Sequence, residues 1–282
     1  MTAPFHPPGQ GSKFAPSDLI DFKRRLFPLI GFNLEGFKER QLERRLTALM
    51  FKAGVQTLSD YHDYLLADPE RLQALVEGLT INVSEFFRDP ETFEELKRSI
   101  LPELLSRFDR LRIWSAGCSI GAELYSVGMI LDELGALDRC DLVGTDLDGR
   151  ILERALEGLY LPNEVRDVAP DRLARYFEAE EGRYRFRGEA IRARCRFLRH
   201  NLFQDPEQSG WHLILCRNVV IYFHDRSKKR LFQAFYGALE PGGVYFVGRS
   251  ERILEAHQYG FRLVQPFFYQ RPRTGSATRS RS

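Results

Sequence analysis

Along the first quarter of the chain, apolar residues recur at spacings of three and four. Leu42, Leu46, Leu49 and Met50 mark one such stripe, the pattern of an amphipathic helix. Ser17, Ser59 and Asp68 before Pro69 read as helix starts, so residues 14–80 are expected to form a small all-helical domain. At Thr80 the texture changes. A loop over 80–88 runs into Asp89-Pro90-Glu91, an N-cap with proline at the first helical position, and a helix is expected to about Arg107. Short apolar runs then alternate with amphipathic stretches. The pattern predicts strands over 111–116, 141–146, 212–216 and 244–247, and helices over 122–134, 150–156 and 226–239. Such alternation implies a parallel sheet covered by helices on both faces. Residues 261–264 and 267–270, separated by Gln265-Pro266, read as a closing pair of edge strands.

One stretch breaks the alternation. Ile191, Ala193, Cys195 and Phe197 interleave with Arg192, Arg194 and Arg196, a period of two with a cationic outer face. With Gly188-Glu189 as its turn, this predicts a small antiparallel β insertion near 183–199. The face either protects a strand edge or docks a partner. A second basic cluster, Lys38, Arg40, Arg44 and Arg45, lies opposite the leucines of the second predicted helix. It is either a solvated face or a dock for an acidic partner.

A length of 282 residues suggests two domains. With 43% hydrophobic and 28% charged residues and 22 Phe, the composition is that of a globular protein. The net charge is +2, and four of the arginines fall in the tail over 271–282, which argues against a globally basic nucleic-acid binder. No apolar run approaches the ~18 residues of a membrane span, and the Pro/Gly-rich start lacks a signal-peptide core. A cytoplasmic protein without membrane insertion is expected, with disordered ends over 1–13 and 271–282. Cys118, Cys140, Cys195 and Cys216 show no metal-ligand spacing and read as reduced thiols, so no metal is expected.

In an open parallel sheet, ligands bind beyond the carboxyl ends of the strands where the strand order reverses. The first strand ends in Gly117-Cys118-Ser119-Ile120-Gly121-Ala122-Glu123, and the next in Thr145-Asp146. A carboxylate at that second tip is placed to accept hydrogen bonds from two ribose hydroxyls, so the pair describes a nucleoside site. The glycine spacing is neither that of a dinucleotide fold nor that of a P-loop, and no Lys or Arg lies between Gly117 and Glu123 to neutralise phosphate. Glu123 instead favours a cationic ligand such as S-adenosylmethionine, which carries an ammonium and a sulfonium. The third strand end, Arg217-Asn218-Val219-Val220-Ile221-Tyr222, lacks the Pro-Pro-aromatic loop usual in nucleic-acid amino-methyltransferases.

At these residues the chain resembles the chemotaxis receptor glutamate methyltransferases of the CheR type. The motifs are TINVSEFFRDPETF, IWSAGCSIGAELYS, VGTDLD with ILERALEGLY, and LCRNVVIYF followed by LEPGGVYFVGRSE. The resemblance implies a class I, Rossmann-like S-adenosylmethionine-dependent methyltransferase sheet over 81–270, preceded by the helical domain and carrying the β insertion. It implies that Asn82, Ser84 and Arg88 belong to a loop over the cofactor, and that Glu123 and Asp146 hold its methionine and ribose portions. Gly117, Asn201, Leu202, Arg217 and Asn218 would be further cofactor contacts. Arg88 and Tyr222 match residues of the reaction centre. Many relatives read Ser-Thr-Gly-Glu-Glu-Pro-Tyr-Ser where this chain has Ser119-Ile120-Gly121-Ala122-Glu123-Leu124-Tyr125-Ser126, so one acid and one hydroxyl are absent.

The implied activity is methyl transfer to glutamate carboxylates in the cytoplasmic helical domain of a chemoreceptor, by a monomer, giving methyl esters and S-adenosylhomocysteine. Arg40, Arg44 and Arg45 would dock that acidic helical bundle. In some relatives the hairpin equivalent to 184–197 grips a receptor tail; the turn here is short. Two rival readings are a methyltransferase for another protein or a small molecule, and a module that binds S-adenosylmethionine without turnover. A dehydrogenase is disfavoured by the missing phosphate-binding glycines.

Overall fold

The computed structural model describes residues 13–30, 34–79, 84–204 and 209–273. Asn82 and most of both chain ends lie outside the described residues. The chain divides between Ile81 and Asn82 into two compact units.

The described residues of the first unit form four α-helices, α1 (Pro16–Ile30), α2 (Glu39–Ala53), α3 (Leu58–Leu66) and α4 (Pro69–Leu79). Leu19, Phe22, Leu26 and Ile30 of α1 and Leu42, Leu46 and Met50 of α2 are buried, the stripes that a 3.6-residue period places on one face. The helix starts are set locally. Asp68 Oδ1 accepts the Glu70 N–H at 2.9 Å ahead of Pro69, as expected. Thr57, and not Ser59, caps α3, its Oγ1 accepting the Asp60 N–H at 3.1 Å, and Ser17 lies inside α1. α2 ends at Gly54, whose φ of 72° lets Val55 donate back to Met50 O.

The second unit begins with α5 (Pro90–Glu95) and α6 (Leu101–Arg107), joined by a π turn over Leu96–Ile100. Leu101 N–H reaches back to Leu96 O, and Pro102 has no N–H to offer. Then follow β1 (Leu111–Ala116), α7 (Ala122–Glu133), β2 (Cys140–Asp146), α8 (Gly149–Glu157), β3 (Leu159–Tyr160), α9 (Pro170–Tyr176), β4 (Phe177–Glu180), β5 (Arg183–Phe186), α10 (Glu189–Arg192), β6 (Cys195–Arg199), β7 (Trp211–Cys216), α11 (Asp225–Ala238), β8 (Leu239–Val247), β9 (Arg262–Gln265) and β10 (Phe268–Gln270). The seven-stranded sheet has the order β6-β2-β1-β7-β8-β10-β9. Its first five strands are parallel, and β10 and β9 close it antiparallel. The chain leaves β1 toward β2 and re-enters on β1's other side at β7, so the order reverses at β1.

The stretch 184–199 folds otherwise than its alternation predicts. Only β6 within it follows the period-two pattern to the end, and it pairs parallel with β2 (Phe197 opposite Gly144) as an edge of the main sheet. Gly188-Glu189 opens the short helix α10, which buries Ile191 against Gly128 of α7. The antiparallel insertion is β3-β5-β4, and its hairpin turn is Glu181-Gly182, both with positive φ. Arg271, assigned to the tail by sequence, is instead tied down. It exchanges backbone hydrogen bonds with Gly242 and Gly243 and donates from Nη1 to the carbonyls of Tyr236, Gly237 and Leu239 at the end of α11. No helix among the described residues is long and apolar enough to cross a membrane.

Glu133, at the end of α7, ties three elements together. It accepts from Arg172 Nε and Nη2 of α9 at 2.7 and 2.8 Å and from Lys97 Nζ of the π turn at 2.7 Å. Burial alone would raise its pKa, but these hydrogen bonds outweigh burial and hold it at about 2, against a usual value of 4.5. A carboxyl depressed in the folded state stabilises above its unfolded pKa, and that stability is lost as pH falls through the folded value. Glu133→Gln is therefore expected to be less stable than wild type at neutral pH. Denaturant titrations should show the gap closing between pH 4.5 and about 2; a gap independent of pH would contradict this assignment.

Candidate functional site

The loops leaving β1, β2 and β7 meet where the strand order reverses. Gly117 and Cys118 both donate to Thr145 O, at 2.8 and 2.9 Å, folding the β1 loop over the end of β2. Gly117 has φ 83°, and a Cβ there would lie 2.7 Å from Val219 Cγ2. The β1 and β7 loops thus pack too closely for a side chain at that position. Ser119, at φ 49°, donates its N–H to Asp146 Oδ2 at 2.8 Å, and Asp148 N–H reaches Oδ1 at 3.2 Å. Burial pushes the Asp146 pKa up, with the Ser119 and Asp148 donors opposing. The carboxylate is thereby fixed at the strand tip, and each oxygen retains capacity to accept from a ligand hydroxyl. His200 N–H donates to Asp146 O at 2.9 Å, which brings Asn201 and Leu202 to the same tip. Asn201 Oδ1 there accepts Phe203 N–H at 3.0 Å.

Arg217 occupies the centre, its side chain only 2% exposed. Nη2 donates to Asp89 Oδ2 at 2.9 Å and to the Arg88 carbonyl at 2.8 Å, and Nη1 lies 3.5 Å from Glu123 Oε2. Ser115 Oγ donates to Glu123 Oε1 at 2.7 Å. The guanidinium also lies over the rings of Phe246 and Phe93, 4.7 and 5.1 Å from their centroids. Burial raises the Glu123 pKa, opposed by Arg217, Ser115 and, more weakly, Arg88. Burial lowers that of Arg217, with Glu123 and Asp89 opposing; a guanidinium nonetheless stays protonated at any accessible pH. Five separated stretches of sequence, at Arg88-Asp89, Ser115-Glu123, Asp146, Asn201-Leu202 and Arg217-Asn218, converge here.

The segment bearing Arg88 is pinned by its aromatics. Phe86 is fully buried, edge-on to Tyr160 and Phe177 at 4.7 and 5.0 Å, and Phe87 packs against Phe93 at 5.5 Å. Phe87 and Asp89, on either side of Arg88, both adopt left-handed backbone (φ 52° and 59°), a conformation held against its intrinsic cost. Arg88 itself is about one-third exposed, its Nε 4.0 Å from Glu85 Oε1. Ser84 is half-buried at the start of the segment. Asp89 precedes α5 as expected, but its side chain does not cap the helix; it is given over to Arg217.

Tyr222 ends a one-turn helix over Val220–Tyr222 and is half-buried. Its loop is organised by a residue that the sequence reading passed over. Glu251, 5% exposed, accepts the N–H of Asn218 at 2.5 Å and of Gly248 at 3.1 Å on Oε2, and that of Ile221 at 3.3 Å on Oε1. Asn218 is held at φ 60°, and a Cβ on Gly248 would lie 2.6 Å from the Glu251 carboxylate. The acid stands within the VGRSE motif, but nothing in one sequence shows that it folds back on the β7 loop. Arg40, Arg44 and Arg45 belong to the other unit. Arg40 and Arg44 are exposed, whereas Arg45 is half-buried with Nη1 donating to Leu79 O at the end of α4, so it braces the helices and offers less charge to a partner.

The cluster fits S-adenosylmethionine. Glu123, Asp89 and Asp146 outnumber the buried Arg217, which suits a ligand bringing its own positive charge and hydroxyls. Ser119 Oγ and Arg217 Nε are buried without a hydrogen-bond partner among the described residues, polar capacity that a polar ligand would use.

Comparison with known proteins agrees with the geometry. The family model described as "CheR methyltransferase, all-alpha domain" matches residues 17–80, and that described as "CheR methyltransferase, SAM binding domain" matches residues 82–266. The chain is 35% identical over 254 residues to "Chemotaxis protein methyltransferase" of Listeria monocytogenes, covering 89% of this chain and 96% of that one. It is 36% identical over 263 residues to "Chemotaxis protein methyltransferase 1" of Pseudomonas aeruginosa, covering 89% and 95%. To "Chemotaxis protein methyltransferase Cher2" of Pseudomonas putida it is 34% identical over 249 residues, covering 84% and 90%.

Glu251→Gln keeps the shape but loses the charge and turns an NH₂ toward backbone donors. The expected cost is about 1–3 kcal/mol, or several degrees in melting temperature for a unit of this size. A thermal melt indistinguishable from wild type would contradict the role given to this carboxylate.

Proposed function

The chain belongs to the CheR methyltransferase family, and from that premise we propose that it methylates glutamate side chains of chemoreceptor cytoplasmic domains, forming carboxyl methyl esters from S-adenosylmethionine. The observation that carries this reading is the joining of Arg88 to the Arg217–Glu123–Asp89 cluster: Arg217 bonds the Arg88 carbonyl, so the residue offered to an acceptor carboxylate is built into the wall of the cofactor site.

When bound, S-adenosylmethionine supplies an electrophilic methyl group. Asp146 would accept its ribose hydroxyls, and Glu123 would face its cationic methionine portion. Gly117, Asn201, Leu202, Arg217 and Asn218, with Asn82 and Ser84 ahead of Arg88, would complete the contacts. A glutamate is already ionised at neutral pH, its reference pKa being about 4.3, so no residue need act as a base to make the nucleophile. What the protein must provide is position, with the acceptor oxygen held about 3–3.5 Å from the methyl carbon and opposite the leaving sulfur. Arg88 would orient the carboxylate and balance its charge without pairing so tightly as to quench it, and Tyr222 would fix its angle by donating a hydrogen bond. The rigid mounting of both residues serves this. Buried phenylalanines and left-handed residues set Arg88, and Glu251 sets the loop that ends in Tyr222.

On the helical unit, the exposed Arg40 and Arg44 of α2 would receive the acidic surface of the receptor helix. Arg45 would contribute mainly by holding α2 in place.

Incubation with methyl-labelled S-adenosylmethionine and receptor cytoplasmic domain, followed by mild alkali, tests the reaction. Label is expected to be released as methanol, as from a carboxyl ester, and Arg88→Ala is expected to lose most turnover, about 100-fold or more, while remaining folded. Alkali-stable label, or an Arg88→Ala enzyme as fast as wild type, would overturn the reading.

A further inference from the structure

A groove of about 310 Å³ opens beside the candidate reaction centre, between the first turns of α11 and the segment after β8. Ile221, the neighbour of Tyr222, forms part of its wall, and Phe232 and Leu254 add apolar surface. Leu254 is 82% exposed, a large apolar side chain left in water at the mouth of a cavity. Lys228, Lys229 and Arg252 also line the groove, as do Asp225, Glu251 and Glu255. Asp225 is paired with Lys228 and Glu251 is taken up by backbone N–H groups, which leaves the exposed Lys229 and Arg252 against Glu255 alone among the lining acids.

The charge is placed where the fold itself does not favour it. α11 begins Asp225-Arg226-Ser227-Lys228-Lys229-Arg230, four cations in its first two turns, where the helix dipole is positive and favours anions. Within these turns only Asp225 opposes them, pairing with Lys228 at 3.3 Å. An acidic partner laid across this end of the helix would offset the repulsion, and an apolar side chain from the same partner would cover Leu254 and enter the groove.

We propose that this groove is a second docking surface for the substrate, receiving the acidic, amphipathic helix that carries the acceptor glutamate. The inference rests on the function proposed above and extends it. On a helix, residues three or four apart share a face, so an apolar residue one turn from the acceptor glutamate would seat against Ile221 and Leu254 while the glutamate faces Tyr222. Neighbouring acids would meet Lys229 and Arg252. The surface belongs to the methyltransferase unit itself and selects among glutamates by what stands one turn away from them.

The test compares wild type with Lys229→Glu/Arg252→Glu and with Leu254→Ser, residues outside the cofactor cluster. It measures initial rates of alkali-labile ester formation against the concentration of receptor cytoplasmic domain, and S-adenosylhomocysteine binding by calorimetry. Expected for both variants is a KM for the receptor domain raised on the order of tenfold, with kcat within about twofold and unchanged affinity for S-adenosylhomocysteine. The wild-type KM should climb with salt, and that of the charge-reversed enzyme should do so less steeply. If wild type forms ester and both variants keep its KM, the groove is not a substrate surface and the proposed function stands. If wild type forms no alkali-labile ester, the function on which the proposal rests falls, and the proposal with it. Self-association that is lost in Leu254→Ser while KM is unchanged would place a second copy of the chain in the groove and equally overturn the proposal.

Discussion

The site depends on one buried cation. Arg217 is held at the end of β7 by Asp89 on one side and Glu123 on the other, with two aromatic rings beneath it. Burying such ions is costly, and a well-packed apolar trio is often at least as stable. Removing one partner from the cluster is a different matter, since it strands a charge in the interior. The arrangement is thus better suited to specifying geometry than to adding stability. It joins the segment before α5, the first helix after β1 and the end of β7, three pieces far apart in sequence, into one wall.

Around that wall the backbone is held in conformations it would not choose. Phe87, Asp89, Ser119 and Asn218 all have positive φ, and each stands beside a residue of the cluster or donates to one. Phe86 and Phe87 supply the burial that keeps the first two in place. Asp146 receives the Ser119 N–H, and Glu251 receives that of Asn218. Both carboxylates have their pKa raised by burial against the pull of these donors, so they accept from strained loops in a poorly solvated setting where each hydrogen bond counts for more. The proposed transfer to an already ionised carboxylate would ask of the protein chiefly this kind of positioning.

Much of this was legible in the sequence. Periodicity located the helices of the first unit and four of the five parallel strands, all but β6, because those elements are bounded by local turn chemistry and patterned by burial. Glu123, Asp146, Arg217 and Asn218 were identified because strand tips in a doubly wound sheet converge by topology. What escaped was long-range. Asp89 looks like a helix cap until Arg217 is seen to take its carboxylate, and Glu251 reaches 33 residues back along the chain to Asn218. The alternation before β6 misled because Ile191 is buried on a turn of helix, where a short apolar-polar run satisfies either period. Arg45 read as surface charge, since its bond to Leu79 O depends on how α2 meets α4.

Arg217 is the residue on which the geometry of the site turns. Calorimetric titration of S-adenosylhomocysteine into wild-type protein and Arg217→Met, with circular dichroism to establish that the variant is folded, addresses it directly. Binding to wild type and a loss of affinity of about 10–100-fold in the variant, some 1.4–2.7 kcal/mol, is the predicted result. A folded Arg217→Met that binds as tightly as wild type would show that the buried cation does not organise the site.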